Sequence, residues 1–498
     1  MKLPALVPSA NKNETLVATL EWLPKLALIV SLYIPWLLAT VLQAAPMTSY
    51  WIAWLGSFYI FYQTWFSSYR FVLPDLPIHQ QIMRPVFLQQ AIFAGFMCCT
   101  SIFYLLDTLG YQYLEQVNIY NPLSLQDSLA LIAKCQRISL FGHAALVTGI
   151  LLTQSRNYFR RPVYNLAPTI PRQVWIIRIS ILSLLVSILI QRVPAMSQFS
   201  IGLYNIAVFG GAVVFVKGVT EKKLNYLIWG GGIFILNIIN STLTGFKEPI
   251  IINFIIIGCL IYPYYKKLVL ISAIPILLIL LYFSSSYTSA FRKQAWQGDA
   301  TAEEARTEAI EALLENVENE PEEMEESNWD FFAHRFSELG MFTEFARQIP
   351  DVIPYYDTQL LENALFAIIP RALWAEKPVT ESLAMERVYV AGIVSRNSNV
   401  SAKTRPVVDG YLSAGLAGVA IYMFFLGVLS QSLNNKAERL FGGYGIGCVI
   451  FYNGFFQQLW RGETIEFLLN TVFWSFITML ALHSLLKYVH YLVRLKRN

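Results

Sequence analysis

Residues 410–429 read GYLSAGLAGVAIYMFFLGVL, a run of twenty residues without a charge. A helix of about 20 apolar residues is long enough to cross the hydrocarbon core of a bilayer, which is about 30 Å thick. Similar blocks recur along the chain of 498 residues, of which 55% are hydrophobic and 14% are charged. Soluble proteins average about 25% charged residues. The composition therefore excludes a soluble multidomain enzyme and indicates an all-α polytopic membrane protein.

The apolar blocks predict about twelve transmembrane helices. They lie near residues 23–44, 48–69, 86–106, 130–154, 173–191, 199–217, 225–246, 248–264, 267–286, 410–432, 442–460 and 467–486. The chain thus divides into helices 1–9 in residues 1–286, one large and mostly helical loop domain in residues 287–409, and helices 10–12 with a short tail in residues 410–498.

The distribution of charge predicts the topology. Residues 287–409 contain 11 basic and 22 acidic side chains, a net charge of −11, whereas the rest of the chain carries +15. Loops on the cytoplasmic side of a membrane are enriched in Lys and Arg. We therefore expect both termini in the cytoplasm and the 287–409 domain outside it. Basic residues confined to short loops do not form a nucleic-acid interface.

Two helical patterns stand out in the loop domain. One is a predicted aromatic-faced helix that begins at Ser327 or Asn328, and the other is a short apolar helix over Leu360–Ile369, which Pro370 ends. The aromatic face consists of Trp329, Phe332, Phe336, Phe342 and Phe345. Such a face is typical of a helix that packs against the membrane domain, and the alternative is a helix that lies in the outer headgroup plane of the bilayer.

Polar side chains recur at helical spacing in three of the predicted spans. The stripes are Asn237, Asn240, Ser241, Thr244, Lys247 and Glu248; then Arg405, Asp409 and Ser413; then Asn453, Gln457 and Arg461, with Glu463 just beyond. Polar groups are unfavourable in hydrocarbon, so these faces should line a shared polar cavity or join helices to one another. Under the predicted topology, all three stripes reach the extracytoplasmic ends of their helices.

Basic residues cluster late in the acidic loop domain, between residues 371 and 405. They include Arg371, Lys377, Arg387, Arg396, Lys403 and Arg405, and Arg335 lies further upstream. A guanidinium group can bind two phosphate oxygens at once. We therefore expect a phosphate-bearing ligand at the outer leaflet.

No soluble-enzyme motif accompanies these features. The five histidines are scattered, and the five cysteines lie in or beside apolar blocks, where they read as small hydrophobic residues. The sequence thus gives no reason to expect a cofactor or a metal site.

Several stretches resemble the Wzy-like O-antigen and exopolysaccharide repeat-unit polymerases, a superfamily that includes the O-antigen ligases. They are Thr244-Gly-Phe-Lys-Glu248, then Ile369-Pro-Arg-Ala-Leu-Trp-Ala-Glu-Lys-Pro378, and then Asp409-Gly-Tyr-Leu-Ser-Ala-Gly415. The resemblance covers about residues 240–465. Ala375 stands where the family usually has proline, and Gly-Phe-Lys replaces the commoner Gly-Ser-Arg.

The resemblance implies a metal-independent glycosyltransferase in the bacterial inner membrane, acting in O-antigen, lipopolysaccharide or exopolysaccharide synthesis. It would join repeat units carried on undecaprenyl pyrophosphate at the periplasmic face. Such a reaction needs cations for the departing pyrophosphate and a base for the acceptor hydroxyl. The catalytic candidates are Arg371, Arg335, Lys247, Glu248, Asp409 and His334, of which the last three are the alternatives for the base. The substrate-binding candidates are Arg405, Lys377, Arg461, Asn240, Gln457 and Trp374.

The expected partners are a lipid-linked oligosaccharide and the lipid bilayer; whether a chain-length regulator also binds stays open. Three alternatives remain at this point: an O-antigen-ligase-type transferase, a flippase or transporter of lipid-linked oligosaccharides, and a non-enzymatic assembly scaffold. A transporter would place charged groups near the middle of the membrane, whereas the predicted stripes reach outer helix ends.

Overall fold

The computed structural model describes residues 22–67, 76–111, 123–154, 162–193, 197–242, 247–297, 304, 306–312, 328–370, 373–374, 376–397 and 402–495. These residues are mostly helical. Two short strands, β1 (Tyr164–Leu166) and β2 (Leu492–Arg494), pair in antiparallel register. The all-α class predicted from the composition is confirmed.

The first ten helices are α1 (Trp22–Ser31), α2 (Ile34–Val41), α3 (Pro46–Trp65), α4 (Pro85–Thr108, with a π-helical stretch at Ala94–Cys99), α5 (Leu125–Thr153), α6 (Arg172–Gln191), α7 (Ser197–Glu221), α8 (Leu224–Thr242), α9 (Lys247–Ile261) and α10 (Lys266–Gln297). The later helices are α11 (Phe332–Phe336, π-helical), α12 (Leu339–Gln348), α13 (Gln359–Ile368), α14 (Thr380–Val390), α15 (Pro406–Leu440), α16 (Tyr444–Tyr452, π-helical), α17 (Asn453–Phe455), α18 (Gln457–Arg461) and α19 (Ile465–Tyr488).

Seven helices in the described part of the chain are long and apolar enough to cross a membrane. They are α4, α5, α6, most of α7, α8, α15 and α19. Shorter apolar helices lie at Leu26–Val41 and Ile251–Ile261. The protein is therefore a helical, membrane-associated protein.

Helix α15 is bent back on itself near its start. Ala414 leaves the helical region, and Gly415 adopts a positive φ of 59°, which a glycine accepts without strain. The arm before the break folds against the arm after it, so that a side chain on Gly418 would overlap the carbonyl oxygen of Gly410. Ser413 also donates a hydrogen bond to the Tyr422 hydroxyl at 3.0 Å. The predicted stripe of Arg405, Asp409 and Ser413 thus lies on a short arm rather than on a continuous span.

The span predicted near 442–460 consists of three helical pieces. Phe456 breaks the helix with φ −115° and ψ 28°, and Gly462 ends α18 in the left-handed conformation. Asn453 lies before the break, whereas Gln457 and Arg461 lie after it. These three residues therefore do not share one helical face, because the helix that would align them is interrupted.

The predicted aromatic helix is also two helices. Its direction changes at Ser337, which is extended (ψ 118°), so that α11 and α12 meet at Glu338. The Phe336 ring of α11 packs 5.5 Å from the Phe96 ring of α4, and Thr343 of α12 hydrogen-bonds the Tyr104 hydroxyl at 3.2 Å. The prediction of one continuous helix was wrong, but Trp329, Phe332 and Phe336 do pack against α4, whereas Phe342 packs against Tyr411 of α15.

One end of the molecule, here called the ribbon end, holds the two strands. The Val163 amide donates to the Arg439 carbonyl at 3.0 Å, which joins the segment after α5 to the end of α15. Arg84, just before α4, pairs with Glu438 at 3.1 Å. The segments around residues 84, 163, 439 and 492 therefore lie on the same side, and the C-terminal end of α4 lies opposite.

Candidate functional site

Three turns of the chain meet at Arg405: the start of α15, the turn between α11 and α12, and the turn after α18. Its guanidinium contacts Glu338 Oε1 at 2.7 and 3.0 Å, which ties the start of α15 to the turn between α11 and α12. Its Nη1 also donates to the carbonyl oxygens of Arg461 and Gly462, at 3.3 and 3.2 Å, in the turn after α18. We call these four residues the Arg405 junction.

The local sequence favours each of these turns. Arg405 is extended (φ −101°, ψ 159°) and is followed by Pro406, whose fixed φ suits the first position of a helix. Gly462 has φ 75°, a conformation that glycine adopts at helix ends without strain. The junction is thus built from ordinary helix start and stop signals.

A small cleft, with a cavity volume of about 30 Å³, opens beside the junction. Arg405 and Arg461 both line it. Its walls are mainly apolar and come from α4, α5 and α15, through Phe93, Phe96, Met97, Leu146, Met423 and Leu426. The cleft thus combines apolar walls with two arginine residues on its lining.

The junction lies well inside the helical bundle. The Arg405 guanidinium is 5.5 Å from the Phe96 ring centroid. Phe96 is twelve residues along α4 from Arg84, about 18 Å at 1.5 Å per residue. Because α4 has 24 residues, this is near its midpoint. Arg405 lies at the start of α15 and Arg461 at the end of α18, so both are at helix ends, and Arg405 lies beside the middle of α4.

A second charged cluster lies at the start of α19 and holds Arg387, Asp409 and Glu466. All three side chains are at most 1% exposed. Arg387 contacts Glu466 at 2.7 Å through one nitrogen and Asp409 at 3.0 Å through another. Burial by itself would lower the pKa of Arg387, but the two carboxylates outweigh that effect and raise its pKa above the ordinary value. We call this the Arg387 cluster.

Asp409, a candidate base, is fully engaged in the Arg387 cluster. Its Oδ1 accepts hydrogen bonds from Arg387 and from the Thr404 hydroxyl, and its Oδ2 accepts the Ile465 amide at 3.0 Å. These contacts join α14, α15 and α19. The geometry gives Asp409 a positioning role, with no exposed oxygen for an acceptor hydroxyl. Sequence reasoning missed Glu466, because a single glutamate just before a predicted span carries no pattern.

His334, another candidate base, lies at the C-terminal end of α4 with its side chain 44% exposed. Its Nε2 is 3.1 Å from Asp107 Oδ2, and the other oxygen of Asp107 accepts the Trp329 indole N–H at 2.7 Å. The hydrogen bond to Asp107 raises the pKa of His334, against the opposing effect of partial burial. A buried carboxylate that orients an accessible imidazole is an arrangement suited to proton transfer.

Lys377 and Trp374 lie close to the end of α13. The Lys377 ammonium is buried and donates to the carbonyl oxygens of Ala367 and Ile369, at 2.6 and 2.8 Å. A cation at the C-terminal end of a helix stabilises the exposed carbonyls there. Trp374 packs edge-on to Phe366 with ring centroids 5.9 Å apart. These contacts account for both side chains as supports of the α13 end.

The two amide candidates lie around α7. Gln457 accepts a hydrogen bond from Asn205 at 3.2 Å, and exposed Asn240 donates to the Tyr204 hydroxyl at 3.3 Å. Tyr204 and Asn205 are neighbours, so α7 connects the polar face of α8 with α18. Asn237 of α8 also hydrogen-bonds Asn253 of α9 at 2.5 Å.

The remaining candidate site residues differ in where they lie and in how much of them the structure describes. Arg335 is exposed on α11. Arg461 lines the cleft and lies 3.6 Å from Glu463. Arg371 lies outside the described residues, and for Lys247 and Glu248 only the backbone at the start of α9 is described. Of the predicted site residues, the structure therefore brings Arg405 and Arg461 together.

Among the described residues, no group of three or more His, Cys, Asp or Glu side chains could hold a metal ion. The described acidic residues at the junction and in the Arg387 cluster are paired with arginines instead.

The fold and this site define a helical membrane-associated protein with an arginine-lined apolar cleft inside its bundle. A family model described as a domain of unknown function, DUF8712, matches residues 34–494, and the chain belongs to that family. Comparison with curated proteins and with solved structures yields no match.

Proposed function

We propose that this protein polymerises oligosaccharide repeat units carried on undecaprenyl pyrophosphate, as a metal-independent glycosyltransferase of the inner membrane. The observation that carries the proposal is the cleft beside Arg405 and Arg461. Its apolar walls suit the polyprenyl tail, and its guanidinium groups suit the pyrophosphate. The twelve-helix topology, with both termini cytoplasmic and residues 287–409 mainly periplasmic, belongs to the same proposal.

In this mechanism Arg405 stabilises the charge that grows on the departing pyrophosphate. A pyrophosphate bound to Arg405 competes with Glu338, which is 2.7 Å away and only 13% exposed. The displaced Glu338 carboxylate would then be free beside the reacting sugar to take the proton of the acceptor hydroxyl. This assignment adds Glu338 to the candidate bases.

His334 serves a different part of the same substrate. Its partner Asp107 lies eleven residues along α4 from Phe96, or about 16 Å. A base must lie within hydrogen-bond reach of the proton that it takes, and we assign that role to Glu338, which contacts Arg405 at 2.7 Å. We assign His334 to contacts with the glycan outside the cleft.

The position of the junction beside the midpoint of α4 favours a second candidate function, the transport of lipid-linked oligosaccharides. Broken helices that end around a charged site near the middle of the membrane are typical of transporters. Here α11, α15 and α18 end around Arg405. A ligase-type transferase would use the same cleft with a different acceptor.

The test uses the purified protein in lipid nanodiscs with a lipid-linked repeat unit. Polymerisation yields longer lipid-linked glycans together with free undecaprenyl pyrophosphate, one for each bond formed. A protein in proteoliposomes that moves the unit across the bilayer without lengthening it would be a transporter, and that outcome would refute the polymerase proposal.

A further inference from the structure

A stripe of buried polar side chains leads from the cleft toward the ribbon end. Ser430, Asn434 and Glu438 recur every four residues on α15, so they share one helical face. They are 0%, 0% and 3% exposed. Buried polar residues are costly inside a membrane-spanning bundle, and this stripe extends over two helical turns.

Hydrogen bonds attach the stripe to the cleft at one end. Gln89 of α4 lines the cleft and is 2% exposed. Its Nε2 donates to the Ser430 hydroxyl at 2.8 Å and to the Leu459 carbonyl oxygen at 3.0 Å.

At the other end the stripe reaches the Arg84–Glu438 ion pair. Asn434 Nδ2 donates to Glu438 Oε1 at 3.1 Å, and Arg84 contacts both oxygens of that carboxylate, at 3.1 and 3.3 Å. Asn453 lies alongside and donates to the carbonyl oxygens of Met83 and Cys448, at 3.0 and 3.1 Å. These side chains form what we call the polar tract: Gln89, Ser430, Asn434, Glu438, Arg84 and Asn453.

Three acceptors in the polar tract have no hydrogen-bond donor among the described residues. They are Gln89 Oε1, Asn434 Oδ1 and Asn453 Oδ1, and each belongs to a side chain that is at most 2% exposed. The orientation of each amide group is fixed by its hydrogen bond. A carbonyl or carboxylate oxygen can only accept in these contacts, so the group that faces it must be the amide nitrogen. The unpaired oxygen of each amide group therefore also lies within the tract, next to the nitrogen that makes the hydrogen bond.

The chemistry of the unpaired groups selects the ligand. A buried acceptor without a donor is unfavourable, and buried polar groups of this kind are normally satisfied by ordered water. A metal cation would need negative charge, but Arg84 already neutralises Glu438. A small neutral donor fits all three oxygens.

We propose that the polar tract binds a file of ordered water molecules that joins the floor of the cleft to the Arg84–Glu438 ion pair. The file gives the deep end of the cleft a route for water and proton exchange toward the ribbon end. This inference does not depend on the reaction that the protein catalyses.

Radiolytic hydroxyl labelling of the whole protein in nanodiscs tests the water file. Hydroxyl radicals formed from a bound water attack the side chain beside it, and sulfur-containing side chains react fastest. Met83 and Cys448 flank the tract and are 2% and 0% exposed, and the matched controls Met479 and Cys135 are both 0% exposed. We expect Met83 and Cys448 to be labelled severalfold faster than these controls.

The variant Asn434→Leu removes one acceptor and fills the middle of the tract with an apolar side chain. In a folded Asn434→Leu protein, labelling of Met83 and Cys448 should fall to the level of Met479 and Cys135. Equal rates at all four positions in the wild type would overturn the proposal, and so would fast labelling that survives in the folded variant. Neither result bears on whether the protein lengthens glycans.

Discussion

Arg405 and Glu338 are 67 residues apart in the chain, and their side chains meet at 2.7 Å inside the bundle. The contact joins the first residue before α15 to the turn between α11 and α12. It places an ion pair beside an apolar cleft, with both side chains partly exposed, at 20% and 13%. Because the ion pair is partly exposed, Arg405 can exchange the Glu338 carboxylate for an anionic ligand. Arg387 cannot do so, because its cluster is closed to solvent.

We predict that Arg405→Ala strongly slows glycan lengthening without preventing folding. Loss of one contact to a developing charge should raise the barrier by about 2–4 kcal/mol, roughly 10²–10³ in rate. The matched control is Arg396→Ala, because Arg396 pairs with Glu386 on the exposed surface at 2.6 Å. Glycan length on gels, measured beside the thermal unfolding midpoint, checks the prediction. Equal loss of lengthening in both variants would contradict it.

The Arg387 cluster should behave as a stability element. Arg387→Met leaves the carboxylates of Asp409 and Glu466 buried without their cation, which should cost about 3–5 kcal/mol. We expect a large drop in the unfolding midpoint and in the yield of monodisperse protein. Arg396→Met, which breaks an exposed pair worth about 0–1 kcal/mol, should leave the midpoint almost unchanged. A normal midpoint for Arg387→Met would show that the cluster is not what holds α14, α15 and α19 together.

The bend in α15 depends on the absence of a side chain at Gly418. A Cβ there would overlap the Gly410 carbonyl oxygen, so Gly418→Ala must force the two arms apart. At Gly232 of α8 an added Cβ meets no atom within 4 Å. Gly232→Ala should therefore be neutral or stabilise α8 by up to about 1 kcal/mol. We expect a lower unfolding midpoint for Gly418→Ala alone, and a midpoint equal to that of Gly232→Ala would rule out the bend.

His334 should titrate above its ordinary pKa because Asp107 accepts its hydrogen bond. Asp107→Asn removes the charge and should move the His334 midpoint to lower pH. The rate of diethyl pyrocarbonate modification follows the neutral imidazole, so its pH profile at His334, read by mass spectrometry, gives the midpoint. Asp127→Asn, at the start of α5, is the control and should leave the profile unchanged.

The same pair has a defined effect on stability. Because the folded-state pKa of His334 lies above the unfolded one, the interaction stabilises the fold fully below the unfolded pKa. The contribution is lost as the pH rises through the raised folded value. A His334 midpoint that does not move in Asp107→Asn would remove the basis for both statements.

The local signals in the sequence were sufficient for some of the individual helices. Pro370 ends α13 at Ile368 as expected, and the block at 410–429 is helical on both sides of its bend. The bend itself was not predictable from periodicity, because Ala414 and Gly415 are ordinary residues in an apolar span. The same holds for the Ser337–Glu338 turn, since the aromatic spacing continues across it.

The candidate site was predictable only in part, for a related reason. The polar stripes predicted Arg405 and Arg461 as candidate site residues. The contact between these two residues depends on three turns of the chain that share no sequence pattern. Glu338 and Glu466 gain their partners from residues 67 and 79 positions away. Pairings of that kind are set by tertiary packing and leave no mark on local spacing.

The central claim is that the cleft beside Arg405 binds a polyprenyl pyrophosphate. A polyprenyl pyrophosphate with a diazirine in its tail, photolysed with the purified protein, measures this directly. We expect cross-links to residues 93–97 of α4 and 423–426 of α15, suppressed by excess unlabelled lipid and lost in Arg405→Ala but kept in Arg396→Ala. Cross-links confined to lipid-facing helix surfaces, unaffected by competitor or by Arg405→Ala, would contradict the claim.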